Sequence, residues 1–248
     1  MTETPKKTVA KSVLAKLARI TTPTITFQLM RHHGLNNTCL RDVLPLDPDS
    51  PPFAGPAYTL RYAPLREDLF EQQLMDHACN LMTPAIEDAP EGAVFLMDAG
   101  GNRDAGLLGG NIVMRLKVRG LAAAVTDGAM RDIPEIKALG WPVCCTAIAA
   151  PASMVRLMLV DTQRPVTVGG VPVFPGDVIV GDGEGVVAVP AHLAEDVAEA
   201  GLAQDRLEEW VHRRLAEGHP IKGLYPPDET SRAAYEDWCA RGAPSDET

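Results

Sequence analysis

The sequence predicts an α/β fold, and three observations carry the prediction. Short apolar runs alternate with helical periodicity between residues 57 and 148. The stretch PVTVGGVPVFPGDVIVGDGEGVVAVP (165–190) is rich in Val, Gly and Pro, the composition of short strands joined by tight turns. AHLAEDVAEAGLAQDRLEEWVHRRLAEG (191–218) is one long amphipathic helix, acidic at its start and with Arg213 and Arg214 near its end, as a helix dipole favours. Alternating helices and strands followed by a strand-rich end indicate a sandwich of the two.

In chain order, residues 1–9 form a charged arm and VLAKLARI (13–20) has helical spacing. TTPTITFQLMRHHG (21–34) reads as a cap, a helix and a terminal Gly34. A proline-rich loop leads into the strand AYTLRY (57–62). LREDLFEQQLMDHACNLM (65–82) is helical, GAVFLMDAGG (92–101) a buried strand, and LLGGNIVMRLKVRG (107–120) a helix with Gly110 and Asn111 near its start. LAAAVTDGAM is a strand, IPEIKALG a short helix and WPVCCTAI a strand. After the long helix, the segment from Pro220 is expected to pack on a neighbouring surface and fray at its end.

At 248 residues the chain is large enough to bury roughly 70–75% of its unfolded surface without staples. Its formal net charge of -10 disfavours contact with phosphate backbones, so nucleic acid is not an expected partner. The cysteines are five, an odd number with no CxxC pair, which argues against a disulfide framework and a thiolate zinc site and suits a cytoplasmic location. No apolar run has the length of a membrane span.

The stretch TDGAMRD (126–132) places Arg131 and Asp132 just past the end of a strand, where ligands gather in α/β sheets. A guanidinium grips a carboxylate with two hydrogen bonds, and an aspartate holds a hard divalent ion. Together they suit a 2-oxo acid. From spacing alone, a surface salt bridge capping a short helix explains the pair better. LLGGNIV leaves backbone N–H groups at a helix start, a place for an anion, although taken alone a glycine-assisted turn or a helix–helix contact explains it better. It is neither a P-loop nor GxGxxG. Asp104, Asp182 and Glu184 lie in Gly-rich turns, and hairpin chemistry is the first expectation for DGEG (182–185). His32 and His33 are expected to be structural, and Cys144 and Cys145 to be packed in a strand. GxSxG is absent, so the common serine hydrolase pattern is unsupported.

GLLGGNIVMRLKVRGLAAAVTDGAMRD together with GGVPVFPGDVIVGDGEGVVAVP resembles the RraA-like family, which joins regulators of ribonuclease activity to 4-hydroxy-4-methyl-2-oxoglutarate aldolases. The resemblance runs from about Thr21 to about Gly223. It divides the chain into an arm and helix (1–20), an RraA-like domain (21–223) and a tail (224–248). It implies a compact α/β/β sandwich, swivelling-domain-like and single-domain, assembled as a homotrimer or homohexamer with sites between subunits. It also implies that Arg131 binds pyruvate, that Asp132 binds Mg²⁺ or Mn²⁺, and that Glu135 belongs to the aldolase pattern. Amides at the helix start, Gly109, Gly110, Asn111 and Ile112, would hold the substrate carboxylate. The expected activity is metal-dependent cleavage of a 4-hydroxy-2-oxo acid to pyruvate, possible also for oxaloacetate by decarboxylation.

One departure stands out: many members carry Asp or Glu where this chain has Gly110. Asp104, or Glu208 or Glu209 of a neighbouring subunit, would be the expected substitutes. Two alternatives accompany the lyase expectation, a non-catalytic ribonuclease E regulator and an enolate reaction on a sugar-derived keto acid. For the latter, Arg61 and Arg66 would meet a distal carboxylate, with structural salt bridges the simpler expectation.

Overall fold

A computed structural model describes residues 8–69 and 81–242. The chain divides into two compact units, residues 1–198 and 199–248. Most of the helix expected over residues 65–82 lies outside the described residues.

The first unit opens with α1 (Lys11–Leu17) and α2 (Thr22–His33). Thr21 caps α2 and Gly34 ends it in the left-handed conformation (φ 67°), as the sequence signals predict. After β1 (Leu44–Pro45) comes β2 (Phe53–Pro64), twelve residues long and twice the expected strand. Its first part pairs with β11 (Val178–Asp182), its middle with β3 (Val94–Asp98) and its end with β8 (Leu157–Thr162). Gly55 makes this possible, because a Cβ there would overlap the carbonyl oxygen of Gly92.

Helix α3 (Met82–Asp88), not foreseen in the sequence, precedes β3. Then follow α4 (Gly110–Val118), β4 (Ala123–Thr126), β5 (Ala129–Met130), α5 (Ile133–Ala138), β6 (Val143–Cys145) and β7 (Ala147–Ile148). Strands β2, β3, β4 and β6 are mutually parallel, with the order β1-β6-β4-β3-β2-β11-β12. The hairpin β9 (Val166–Val168) to β10 (Val171–Val173) stands apart, and β12 (Gly185–Val189) completes the β11 hairpin.

Alternate residues of the parallel strands enter two separate cores. Phe95, Met97 and Ala124 join Leu108, Val113 and Leu116 of α4 and its approach and Ile136 of α5. Val94, Leu96, Ala123 and Val125 join Val166, Val168, Val171, Val173, Ile179 and Val186. A sheet buried on both faces requires continuous apolar runs, and helices on one face with strands on the other give the expected α/β/β layering. The adjacent Cys144 and Cys145 serve opposite cores, and both thiols are unpaired.

DGEG is the β11–β12 hairpin, as its composition predicts. Asp182 also ties that hairpin to the start of α2, accepting from Thr22 N at 2.7 Å and from Thr22 Oγ1 at 2.8 Å. His32 and His33 lie in the last turn of α2.

Helix α6 (Ala194–Ala216) begins in the first unit, where Val197 and Ala198 are buried. In the second unit, Trp210, Val211 and Leu224 form a small core with Tyr235 and Trp238 of α7 (Glu229–Ala240). Asp228 caps α7 by accepting from Ser231 N at 2.9 Å. The segment expected only to pack and fray therefore contains a capped helix. Among the described residues, no helix is long and apolar enough to cross a membrane.

Phe95 is fully buried and stacks on Tyr58 with ring centroids 6.1 Å apart. Phe95→Ala should cost about 3–5 kcal/mol of stability, read as a shift in the urea unfolding midpoint. A cost below about 1 kcal/mol would show that this core is not the one that holds the sheet.

Candidate active site

The stretch TDGAMRD leaves β4, turns, forms β5 and presents Arg131 and Asp132. Thr126 Oγ1 accepts from Gly128 N at 2.9 Å, which closes the turn. Thr146 Oγ1 donates to the carbonyl oxygens of Asp127 and Gly128. Strand β5 then pairs in parallel with β7, and Leu107 N donates to Ala129 O on its other side. Arg131 N donates to Leu108 O at 3.2 Å, so the segment leading into α4 runs beside the Arg-Asp pair.

Two glycines allow the approach. A Cβ on Gly109 would overlap Asp132 Oδ2, and one on Gly110 would overlap Glu135 Oε2. The amide of Gly110, first residue of α4, donates to Asp132 Oδ2 at 3.2 Å. Arg131 Nε stands 3.9 Å from the same oxygen, and the two side chains are 39% and 42% exposed. Both therefore reach solvent while facing one helix start. Asp132 adopts φ 60°, ψ 41°, a left-handed conformation unusual for a side-chain-bearing residue. Such strain costs about 1–3 kcal/mol and gathers at functional sites.

The residues singled out in the sequence, Arg131, Asp132, Glu135, Gly109 and Gly110, thus come together. Of the helix-start amides, Gly110 N is engaged by Asp132 and Ile112 N by Gly109 O at 3.1 Å, so Ile112 does not offer an open donor. The Asn111 amide has no partner among the described residues. Asp104 is an exposed turn residue whose amide donates to Asn102 Oδ1. Glu208 accepts from Gln204 and Tyr225, and Glu209 pairs with Arg213. Arg66 pairs with Asp68, the structural role expected of it.

The oxygen donors fit a hard divalent cation. Asp132 Oδ1 accepts no hydrogen bond from the described residues, and carboxylate oxygen is the ligand such ions favour. No group of three His, Cys, Asp or Glu side chains able to hold a metal occurs among the described residues. A single-chain seat here would therefore be one carboxylate, or two with Glu135, completed by water, as Mg²⁺ tolerates.

Asp127 plays a part that sequence reading missed. Its carboxylate is buried and accepts from Ala99 N at 2.8 Å and Gly101 N at 3.2 Å, pinning the loop that leads to α4. Only its place in an Asp-Gly turn hinted at this. It also lines a cavity of about 390 Å³ with Arg41, Asp98, Arg103, Thr167 and Gly170. That cavity does not include Arg131 or Asp132, and its carboxylates are already committed, Asp98 to Gly100 N and Thr167 N. A second cavity, of about 280 Å³, shares Asp98 and Thr167 and includes Arg61.

The family model for RraA-like proteins, described as Aldolase/RraA, matches residues 20–188. A Thermus thermophilus protein named 4-hydroxy-4-methyl-2-oxoglutarate aldolase is 32% identical over 139 residues, 56% of this chain and 76% of its own length. Protein DlpA of Legionella pneumophila is 28% identical over 185 residues, 75% of this chain but only 27% of its own length. Among solved structures, Streptomyces coelicolor RraAS2, described as an unusual member of the RNase ES inhibitor RraA protein family, is 29% identical. It superposes with a TM-score of 0.74, covering 84% of this chain and 99% of that one.

Burial pushes the Asp127 carboxyl above its ordinary value; Asp98 adds to the rise and the backbone amides oppose it. A folded-state value above the unfolded one gives stability that is present below the unfolded value and lost as pH rises through the folded one. Relative to Asp127→Asn, which does not titrate, the parent should gain stability between about pH 7 and about pH 4. Chemical denaturation at both pH values checks this; a parent that loses ground on acidification contradicts it.

Proposed function

The chain belongs to the RraA-like family, and on that footing we propose that it is a divalent-metal-dependent carbon–carbon lyase that cleaves a 4-hydroxy-2-oxo acid to pyruvate. The observation that carries the reading is the apposition of Arg131 and Asp132 with the start of α4. The name of the Thermus relative agrees with it.

Arg131 would hold the substrate carboxylate through its guanidinium, as arginine does in bidentate pairs. The Asn111 amide and the positive end of α4 would face the same anion. Asp132, with its left-handed backbone fixed by β5 on one side and α5 on the other, would hold Mg²⁺ or Mn²⁺. The ion supplies Lewis-acid polarisation of the 2-oxo group. Loss of the C4 hydroxyl proton to solvent lets the C3–C4 bond break, its electron pair passing into a pyruvate enolate that takes up a solvent proton at C3. The fixed cation of Arg131 and the helix start offset that developing charge without reorganising, commonly the largest catalytic contribution. No lysine Schiff base is needed. Oxaloacetate would lose CO₂ to the same enolate.

The side chains of Arg131 and Asp132 are partly exposed in a single chain. Ile148, paired with Met130, is 66% exposed, and Met154 and Val155 nearby in sequence are 48% and 45% exposed. A homotrimer or hexamer with sites between subunits would cover such apolar surface. A second reading, a ribonuclease regulator, is favoured by one observation, the description of the Streptomyces structure.

A lactate-dehydrogenase-coupled assay over 4-hydroxy-2-oxo acids and oxaloacetate tests the proposal. Pyruvate release should require Mg²⁺ or Mn²⁺, stop with EDTA and stop in Asp132→Ala. Arg131→Ala should lower turnover by about 100-fold or more. Turnover that persists unchanged without metal overturns the mechanism, and no turnover on any substrate, with capture of ribonuclease E, favours the regulator.

A further inference from the structure

The chain carries an Arg-Asp pair twice. Leu-Arg-Asp-Val (40–43) repeats the pattern of Met-Arg-Asp-Ile (130–133), and both aspartates are left-handed, Asp42 at φ 61° and Asp132 at φ 60°. Each pair also lies against a Gly-Gly step. Arg41 N donates to Gly169 O at 3.1 Å, and a Cβ on Gly169 would stand 2.7 Å from that nitrogen, so glycine is what lets the β9–β10 turn come this close. The first pair borders the cavity of about 390 Å³, within the roughly 300–1,000 Å³ of small-molecule sites. That cavity lies at the carboxyl ends of parallel strands, where α/β sheets take ligands. Asp98 ends β3, Asp127 follows β4 and Thr146 follows β6.

Two kinds of group face this space. Arg103 Nη2 stands 3.3 Å from Asp42 Oδ2, while the Arg41 guanidinium has no hydrogen bond or ion pair with any described residue. Arg103 keeps most of its N–H donors free beside that single contact. Asp98 and Asp127 each accept two backbone amides, one on each oxygen, which offsets their charge and leaves acceptor sites for further donors. We propose that this cavity is a second ligand site, separate from Arg131 and Asp132, for a small hydroxy carboxylate. Arg41 and Arg103 hold its carboxylate in charge-assisted hydrogen bonds, and Asp98 and Asp127 accept from its hydroxyls. Oxygens already bonded to amides suit neutral O–H donors better than a bare cation. The proposal does not rest on the lyase reading, since it uses neither the second Arg-Asp pair nor the start of α4.

The probe is D-gluconate, titrated into the metal-free full chain by isothermal titration calorimetry beside compounds of matched length. D-glucose keeps the hydroxyls without the charge, hexanoate keeps the charge without the hydroxyls, and ω-aminohexanoate replaces the hydroxyls with an ammonium. Gluconate should bind saturably, and each of the others should bind about tenfold more weakly or worse, the effect of losing a charged hydrogen bond. Arg41→Ala and Arg103→Ala, both at exposed positions and each first shown to be folded by circular dichroism, should weaken gluconate by about tenfold or more. Arg131→Ala should leave its affinity unchanged. No saturable binding at millimolar concentrations, equal binding of glucose or hexanoate, or tighter binding of ω-aminohexanoate overturns the proposal. So does parent-like affinity in Arg41→Ala or Arg103→Ala. A loss of binding in Arg131→Ala overturns it as well, because gluconate would then occupy the site around the second Arg-Asp pair.

Discussion

The contact between the Gly110 amide and Asp132 Oδ2 is the constraint on which the rest of the site depends. It requires two chain reversals, one after β5 and one before α4, to meet closer than side chains normally permit. Glycine at 109 and 110 removes the obstruction, and the left-handed backbone at Asp132 turns its carboxylate towards the helix. The strain is held by interactions on both sides: Arg131 N is bonded to Leu108 O, and Asp132 O receives Ile136 N of the next helix. A carboxylate free to rotate would gain entropy in water; here it is aimed before any ligand arrives, which is what preorganisation requires.

The layers behind the site explain why that aim can be kept. Strands β3 and β4 are buried on both faces, so their carboxyl ends cannot shift without disturbing two cores. Asp127 and Thr146 then lock the turn between β4 and β5, and Asp127 pins the approach to α4 as well. One buried carboxylate thereby fixes the relation between the two segments that present Arg131 and Gly110. Its own desolvation is the cost, visible as the upward shift of its titration.

Much of this was legible in the sequence where the physics is local. Caps at Thr21 and Gly34, the apolar runs of β3 and β4, the glycine-led start of α4 and the DGEG hairpin all follow from chemistry within a few residues. The long reach of β2 was not, because Pro56 and Gly55 read as breakers until the close approach of Gly92 is known. Helix α7 escaped notice because its polar sequence offers only Tyr235 and Trp238 as a stripe, and their partner Trp210 lies on another helix. Within the site, the residues Arg131 and Asp132 were findable as neighbours. The apposition of Gly110 with Glu135, 25 residues apart, and the grip of Asp127 on Ala99 depend on tertiary packing and had no local signature.

The most direct measurement is a crystal structure with Mn²⁺ and the enolate mimic oxalate, read through the manganese anomalous signal. The account predicts an anomalous peak at bonding distance from a carboxylate oxygen of Asp132, with oxalate between that peak, the Arg131 guanidinium and the start of α4. A peak elsewhere on the chain, or oxalate bound with Arg131 and Asp132 turned away from it, would contradict it.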